Sequence, residues 1–180
     1  GGVGAPAMGL NGVLDRFKQI GPVGGSTVDG VVEGGKGRDG QAVSEGIRNA
    51  LRSLRHAIGV GNRKDKVQWG GYHNFAELVS RDDAATAAFE PLWLPFDHPL
   101  WIVYSSGTTG LPKPIVHGHG GMMMVQMQLG TLHNDLGCSY DANSFGERYH
   151  WYSSTGWVMW NAQVAGLQRG CTVVIFDGNP

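Results

Sequence analysis

The sequence has few cysteines, no excess of either charge and no long apolar run, and each absence argues against a class of protein. Only two of its 180 residues are cysteines, Cys138 and Cys171, and they form no Cys-x-x-Cys pair. We therefore expect reduced thiols, with neither a disulfide framework nor a zinc site. The formal net charge is −1, so nucleic acid and anionic membranes, which reward clustered positive charge, are not expected partners.

Targeting and membrane signals are also missing. No apolar run approaches the roughly 20 residues of a membrane span. The first residues, GGVGAPAMGLNG, have neither the basic start nor the apolar core of a signal peptide, which favours a cytoplasmic protein. The chain begins without Met, so we expect a piece of a longer protein. No feature of the sequence indicates an oligomeric state.

The pattern of apolar residues predicts alternating strands and helices. Residues 12–20 have the spacing of a helix, 26–32 of a strand with a turn, 39–54 of a second helix and 54–60 of a second strand. This order predicts a β–α–β unit, and therefore the α/β class with a parallel or mixed sheet and flanking helices. The apolar positions of the second helix, expected to form one buried stripe, are Val43, Ile47, Ala50, Leu51 and Leu54.

Two prolines, Pro91 and Pro95, break the pattern and suggest a division into portions 1–95 and 96–180. Before them, Asn74 and Glu77 have the spacing of a capping box at a helix start. After them, the predicted elements are strands at 99–106 and 114–118, a helix at 120–136 and a buried strand at 172–178.

A stretch rich in glycine and hydroxyl groups, YSSGTTGLPKPIVHGHGG, follows the apolar run LWIVY. It is not a Walker loop, because Lys113 is followed by Pro114 and a strand is predicted next. Its residue types still suit an anion: glycines let main-chain N–H groups turn inward, hydroxyls donate and lysine supplies charge. At about 1.5–3 kcal/mol for each charge-assisted hydrogen bond, several together would hold a triphosphate. The candidate phosphate-binding residues are Ser105, Ser106, Gly107, Thr108, Thr109, Gly110 and Lys113. The alternative is an ordinary flexible loop.

The full string SSGTTGLPKP resembles the phosphate-binding signature of the adenylate-forming enzymes, which include acyl-CoA synthetases, luciferases and peptide-synthetase adenylation domains. Most of that superfamily has Gly at the position of Pro114. The continuation PIVHGHGG is similar to the acetoacetyl-CoA synthetase branch, and so are the segments 13–20 and 151–180. The likeness runs through nearly the whole chain in the same order. It is weakest over residues 1–10, 61–90 and 137–148.

The resemblance implies part of the large N-terminal domain of such an enzyme, with ATP, Mg²⁺, coenzyme A and acetoacetate as its small-molecule partners. It implies that the carboxylate attacks the α-phosphate of ATP, that pyrophosphate leaves, and that the thiol of CoA then displaces AMP. Lys113 and Thr109 take the catalytic role in this interpretation, because the charge on departing pyrophosphate must be neutralised.

The resemblance also implies segments that these 180 residues do not contain. They are a glutamate that reaches the metal, an acidic residue for the ribose, and a C-terminal domain with the adenylation lysine. We therefore expect the 180 residues alone to be inactive. Three other functions stay open: a non-catalytic nucleotide-binding module, a phosphotransferase, and an acyl-CoA synthetase for another short-chain acid.

Three further groups have both a functional and a structural interpretation. By the resemblance, Val158 and Met159 lie where acetyl-CoA synthetases line the acyl pocket, with Thr at the position of Met159, and Trp157 is the third candidate for substrate binding. The equally weighted alternative is that Trp157, Met159 and Trp160 are core residues. His117 and His119 have a metal-type spacing without a third ligand, so we expect no metal site. The methionines of 122–127 are expected in the core.

Overall fold

The computed structural model describes residues 8–33, 35–62, 70–107, 110–137 and 146–176. The chain divides into two compact units. The N-terminal unit contains residues 6–93 and the loop 105–114, and the C-terminal unit contains residues 94–104 and 115–177. The functional division expected at residue 95 stays a prediction.

The N-terminal unit combines a parallel sheet, a separate hairpin and short helices. Its elements are α1 (Gly9–Ile20), β1 (Gly24–Val28), β2 (Gly30–Glu33), β3 (Lys36–Asp39), α2 (Gln41–Ala50), β4 (His56–Val60), β5 (His73–Asn74), α3 (Phe75–Val79) and α4 (Ala84–Ala87). The order β1–β4–β5 is parallel, with Ser26 opposite Ile58 and Ile58 opposite His73. The hairpin β2–β3 is antiparallel and lies between β1 and α2 in the chain.

The C-terminal unit contains two pairs of strands and two helices, and each helix continues into a turn of another helical type. Its elements are β6 (Pro99–Ser105) without Ser105, β7 (Lys113–Gly118) without its first two residues, α5 (His119–Gln128), a π-helical turn (Leu129–His133), β8 (Arg148–Tyr149), α6 (Val158–Val164), a 3₁₀ turn (Ala165–Arg169) and β9 (Thr172–Val173). Strand β6 pairs with β7, and β8 pairs in parallel with β9. No helix in the described part of the chain is long and apolar enough to cross a membrane.

The predicted β–α–β unit is confirmed, because β1 and β4 are parallel neighbours and α2 connects them. The Asn74 half of the predicted capping box is present too. The side chain of Asn74 accepts hydrogen bonds from the main-chain nitrogens of Ala76 at 2.8 Å and Glu77 at 3.3 Å. These two donors would otherwise have no partner within the first turn of α3.

The second predicted helix is shorter than expected, and its buried face differs. α2 ends at Ala50, because Leu51 has φ −97° and ψ 88°. Val43 is 38% exposed, while Ser44 is buried and its hydroxyl lies 2.8 Å from Thr27 Oγ1 in β1. The apolar stripe that we predicted is therefore wrong at its first position, since a hydrogen-bonded serine faces the sheet instead.

The predicted helix at 120–136 and its methionine core are also corrected. α5 gives way to the π-helical turn at Leu129, and Met123 and Met124 are exposed while Gln126 is buried. Arg169 contacts α5 near its end, where its Nη1 donates to the main-chain carbonyl oxygen of Gln126 at 2.8 Å. A side chain that takes a helix carbonyl disturbs the normal hydrogen-bond ladder.

The last strand is much shorter than the predicted 172–178. β9 covers Thr172 and Val173 only, whereas Ile175 and Phe176 are 67% and 55% exposed. The hydrogen bond from Val174 N to Tyr149 O, 2.9 Å, is the last main-chain rung between the two strands among the described residues. Residues 177 and 178 lie outside the described part of the chain.

Candidate functional site

The glycine-rich stretch connects β6 to β7, as its residue pattern predicts. Ser105 and Ser106 are exposed at the end of β6, and Gly107 follows with φ +57°, in the left-handed region. A Cβ atom on Gly107 would lie 2.6 Å from the Leu111 carbonyl oxygen and 3.1 Å from that of Gly110. Both the backbone angle and the space therefore require glycine at this position.

The second half of the stretch, residues 110–114, is hydrogen-bonded to α1 and has free space beside Gly110. Gln19, near the end of α1, donates from Nε2 to the Pro112 carbonyl oxygen at 2.9 Å. Lys113 is the first residue of β7, and its side chain is exposed. A Cβ atom on Gly110 would meet nothing within 4 Å. The described part of the loop is thus anchored at Pro112 and leaves room beside Gly110 and Lys113.

Thr108 and Thr109, both predicted to contact phosphate, lie outside the described residues. So does Cys138. Cys171 is described and is a free, buried thiol. The roles predicted for Ser105, Ser106, Gly107, Gly110 and Lys113 stay predictions, because the positions of these residues do not by themselves establish phosphate binding.

The later glycines of the stretch have a packing role that the sequence interpretation missed. A Cβ atom on Gly118 would lie 3.1 Å from the Asp97 carbonyl oxygen, and one on Gly120 would overlap the Phe96 ring. Main-chain hydrogen bonds from His119 N to His98 O (3.0 Å) and from Gly120 N to Phe96 O join the same two segments. The sequence HGHGG thus lets α5 begin close against the chain before β6. The alternation of glycine and histidine was the available signal.

The histidine pair does not share a strand face. His117 is in β7, but His119 begins α5, and its Nδ1 donates to the His98 carbonyl oxygen at 2.8 Å. The His98 and His119 rings meet edge to face, with 5.6 Å between their centroids. Among the described residues, no group of three or more His, Cys, Asp or Glu side chains could hold a metal ion.

The predicted acyl-site residues lie at the start of α6, in the C-terminal unit. Trp157 is 65% exposed and Val158 is 51% exposed, while Met159 is half-buried. Core packing, the alternative interpretation, is therefore wrong for Trp157. The main-chain nitrogen of Trp157 donates to the Ser154 carbonyl oxygen at 3.0 Å, and this hydrogen bond closes the turn that leads into α6.

An α/β unit with a left-handed glycine between two strands and a lysine at the start of the second defines a candidate nucleotide-phosphate site. Comparison with known proteins agrees with this class. The sequence profile of the family described as AMP-binding enzyme matches residues 42–180. The chain therefore belongs to the AMP-binding enzyme family.

Particular relatives within the family are acetoacetyl-CoA synthetases. The chain is 34% identical to that of Gallus gallus over 98% of this chain and 26% of the relative, and 35% identical to that of Rhizobium meliloti (strain 1021) with the same two coverages. A solved structure of acetoacetyl-CoA synthetase from Streptomyces lividans is 42% identical and matches with a TM-score of 0.83 over 96% of this chain and 25% of that one. The chain thus spans about a quarter of the length of these relatives.

Proposed function

We propose that the protein carrying this chain is an ATP-dependent, AMP-forming ligase that joins a short β-carbonyl acid, acetoacetate first among candidates, to coenzyme A. The observation that carries the proposal is the glycine loop 105–114 inside a chain that is 42% identical to a solved acetoacetyl-CoA synthetase. In this reaction the carboxylate attacks the α-phosphate, pyrophosphate leaves, and the thiol then displaces AMP from the acyl-adenylate.

The loop would bind the phosphates through its own backbone and side chains. The left-handed turn at Gly107 changes the direction of the main chain after β6, and the hydroxyls of Ser105 and Ser106 are exposed beside it. Lys113 supplies a mobile positive charge where the loop ends. Such donors stabilise the negative charge that develops on departing pyrophosphate and need little reorganisation to do so. We propose the same role for Thr108 and Thr109.

A further relative supports the proposed class of acid. One relative, 32% identical over 98% of this chain and 24% of its own length, is the malonamoyl-CoA synthetase vrtB of Penicillium aethiopicum. Acetoacetate and malonamate are nearly isosteric, and each has a carbonyl group β to its carboxylate. Trp157, Val158 and Met159 are the proposed acyl-site residues. They offer apolar contacts and a thioether, which suit the uncharged end of a short β-carbonyl acid better than charged side chains would.

The described residues contain no group of three or more His, Cys, Asp or Glu side chains that could hold a metal ion without a substrate. Mg²⁺ is commonly held by substrate phosphates together with one or two carboxylates. We propose that it enters with the triphosphate and that any protein ligands lie elsewhere.

An assay with a panel of carboxylic acids tests the proposal directly. The full-length protein is assayed with ATP, coenzyme A and each of acetoacetate, malonamate, acetate, butyrate and palmitate, and AMP and pyrophosphate are measured. We expect the highest kcat/KM with acetoacetate or malonamate. A preference for acetate or palmitate would contradict the acid class. ADP in place of AMP would indicate a phosphotransferase, and nucleotide binding without turnover would indicate a non-catalytic module.

The role of Lys113 is tested by separating the two half-reactions. Lys113→Ala removes the cation but leaves the glycines unchanged, so adenylation should slow by about 10²-fold or more, the effect of losing one contact to transition-state charge. Thioester formation from preformed acyl-adenylate should change much less, because pyrophosphate has already left. Lys18→Ala, at an exposed position of α1, is the matched control. Equal losses in both half-reactions would mean that Lys113 is structural.

A further inference from the structure

Gln163 in α6 is an almost fully buried amide whose two ends are both hydrogen-bonded. Its side chain is 2% exposed. Its Oε1 accepts from the main-chain nitrogen of Trp151 at 3.0 Å, and its Nε2 donates to the Val174 carbonyl oxygen at 2.8 Å. Burying an amide is unfavourable unless both its donor and its acceptor find partners, so the position is selective for glutamine.

The two partners lie where the β8–β9 pair stops. Main-chain bonds connect Thr172 N to Glu147 O (2.8 Å) and Val174 N to Tyr149 O (2.9 Å). In a parallel pair the next rung would run from Trp151 N to Val174 O. This direct hydrogen bond is replaced by two bonds through the Gln163 amide, which accepts from Trp151 N and donates to Val174 O. The strands therefore separate at this point without leaving either backbone group unpaired.

The separation determines the path of the chain that follows β8. Residues 151–157 lead from the Trp151 rung to the start of α6, and the helix that they enter is the one that carries Gln163. Met159 and Gln163 are four residues apart in α6, so their side chains lie on the same helical face. One amide thus connects the beginning of this loop to the helix at its end.

We infer that Gln163 is a positioning residue that holds Trp157, Val158 and Met159 in the geometry that selects the acid. This inference rests on the proposed function. Gln163 is not proposed to contact the acid. It would influence acid binding by fixing the position of the Trp151 nitrogen and of the first turn of α6. Acid selection should then depend on the amide, whereas ATP binding at the loop 105–114, in the other unit, should not.

The test uses Gln163→Met, an apolar side chain of similar length, in the full-length protein. Both hydrogen bonds are lost, and we expect the KM for acetoacetate to rise about tenfold or more, with the KM for ATP within about twofold of the unaltered protein. Gln168→Met is the matched control, because Gln168 is an exposed glutamine in the adjoining 3₁₀ turn. The control should leave both constants unchanged.

Gln163→Glu provides a second test that does not depend on how well the methionine variant folds. The ionised carboxylate still accepts from Trp151 N but cannot donate to Val174 O, whereas the protonated form can do both. Burial raises the pKa of a carboxyl group. The KM for acetoacetate of the variant, divided by that of the unaltered protein, should therefore fall as the pH is lowered from about 8 to about 6. His150 is a titratable group at the same place, since its Nδ1 donates to the Val174 carbonyl oxygen at 2.9 Å. It is present in both proteins, so the ratio of KM values removes its own contribution, and general loss of packing would not produce this pH dependence.

The outcomes separate the two proposals. If the unaltered protein activates none of the acids, the proposed function fails and this inference fails with it. If the unaltered protein is active but Gln163→Met leaves the acid KM unchanged, or raises the KM values of acid and ATP equally, only the inference about Gln163 is overturned. A ratio for Gln163→Glu that does not change with pH overturns it as well.

Discussion

At the scale of single residues, the two glycines of the loop 105–114 have different physical reasons to be glycine. Gly107 combines φ +57° with carbonyl oxygens 2.6 Å and 3.1 Å from the position of a Cβ atom. At Gly110 a Cβ atom would meet nothing within 4 Å. Backbone requirements therefore explain the first glycine but not the second, which is free for close approach of a ligand.

This difference predicts distinct effects of alanine at the two positions. Gly107→Ala should lower the free energy of unfolding by about 1–2 kcal/mol for the left-handed backbone alone, with a further loss from the contact with Leu111. Gly110→Ala should leave stability unchanged but weaken ATP binding, since a methyl group would occupy space proposed for phosphate. Chemical denaturation and nucleotide titration of both variants measure this. Equal destabilisation would contradict the geometry, and unchanged ATP affinity in Gly110→Ala would contradict the proposed contact.

At the scale of secondary-structure elements, α2 and β5 are connected through Tyr72 and Arg48. The Tyr72 hydroxyl donates to Ser44 O at 2.9 Å, and the Arg48 guanidinium carbon lies 5.3 Å from the centre of the Tyr72 ring. Arg48 Nη1 also donates to Gly70 O at 3.0 Å. Burial raises the pKa of the Tyr72 hydroxyl above 10.0, Arg48 opposes this by lowering the pKa, and Glu45 raises it further.

The raised pKa of Tyr72 predicts a loss of stability in alkali. A group with a higher pKa in the folded state contributes stability that is complete below the unfolded pKa, near 10, and is lost as the pH rises through the folded pKa. Tyr72→Phe should remove this part of the decline. It should also cost about 0.5–1.5 kcal/mol at neutral pH, through the lost bond to Ser44.

The measurement is the free energy of unfolding of the unaltered and Tyr72→Phe proteins between about pH 8 and 11. The difference between the two should shrink as the pH rises. Tyr152→Phe, at a tyrosine that is 59% exposed, is the control and should follow the unaltered protein. A constant difference between the unaltered and Tyr72→Phe proteins across this range would contradict the assignment.

At the scale of the whole molecule, the described surface carries large apolar side chains in one short segment before residue 94. Phe89, Leu92 and Trp93 are 76%, 81% and 97% exposed. Exposed apolar side chains favour association, because burying them releases about 25 cal/mol per Å². We therefore expect the 180-residue chain to self-associate as its concentration rises.

Substituting the two most exposed of these residues should reduce the association. The double variant Leu92→Ser, Trp93→Ser is compared with the unaltered 180-residue chain by light scattering over a concentration series. Val32→Ser, at a position that is 68% exposed in the β2–β3 hairpin, is the control. Scattering that is the same for all three chains would show that the segment does not drive association.

Much of the fold was predictable because local signals were strong. The periodicity of residues 12–20, the strand-like run before the glycine loop and the Asn74 cap each depend on neighbours in the chain, and all three are confirmed. The parallel pairing of β1 with β4 also followed from the strand–helix–strand order. The likeness of SSGTTGLPKP to adenylate-forming enzymes led to the family that the comparison shows.

The sequence by itself determined the class of fold, the family and the position of the glycine loop, because these depend on local pattern and on a long specific string. Only the tertiary structure decided which polar side chains are buried, since burial of Ser44 and Gln163 depends on partners distant in the chain. Thr27, Trp151 and Val174 supply those partners. A buried polar group is stable only when such a partner is in place, and no periodicity of the sequence reveals the pairing.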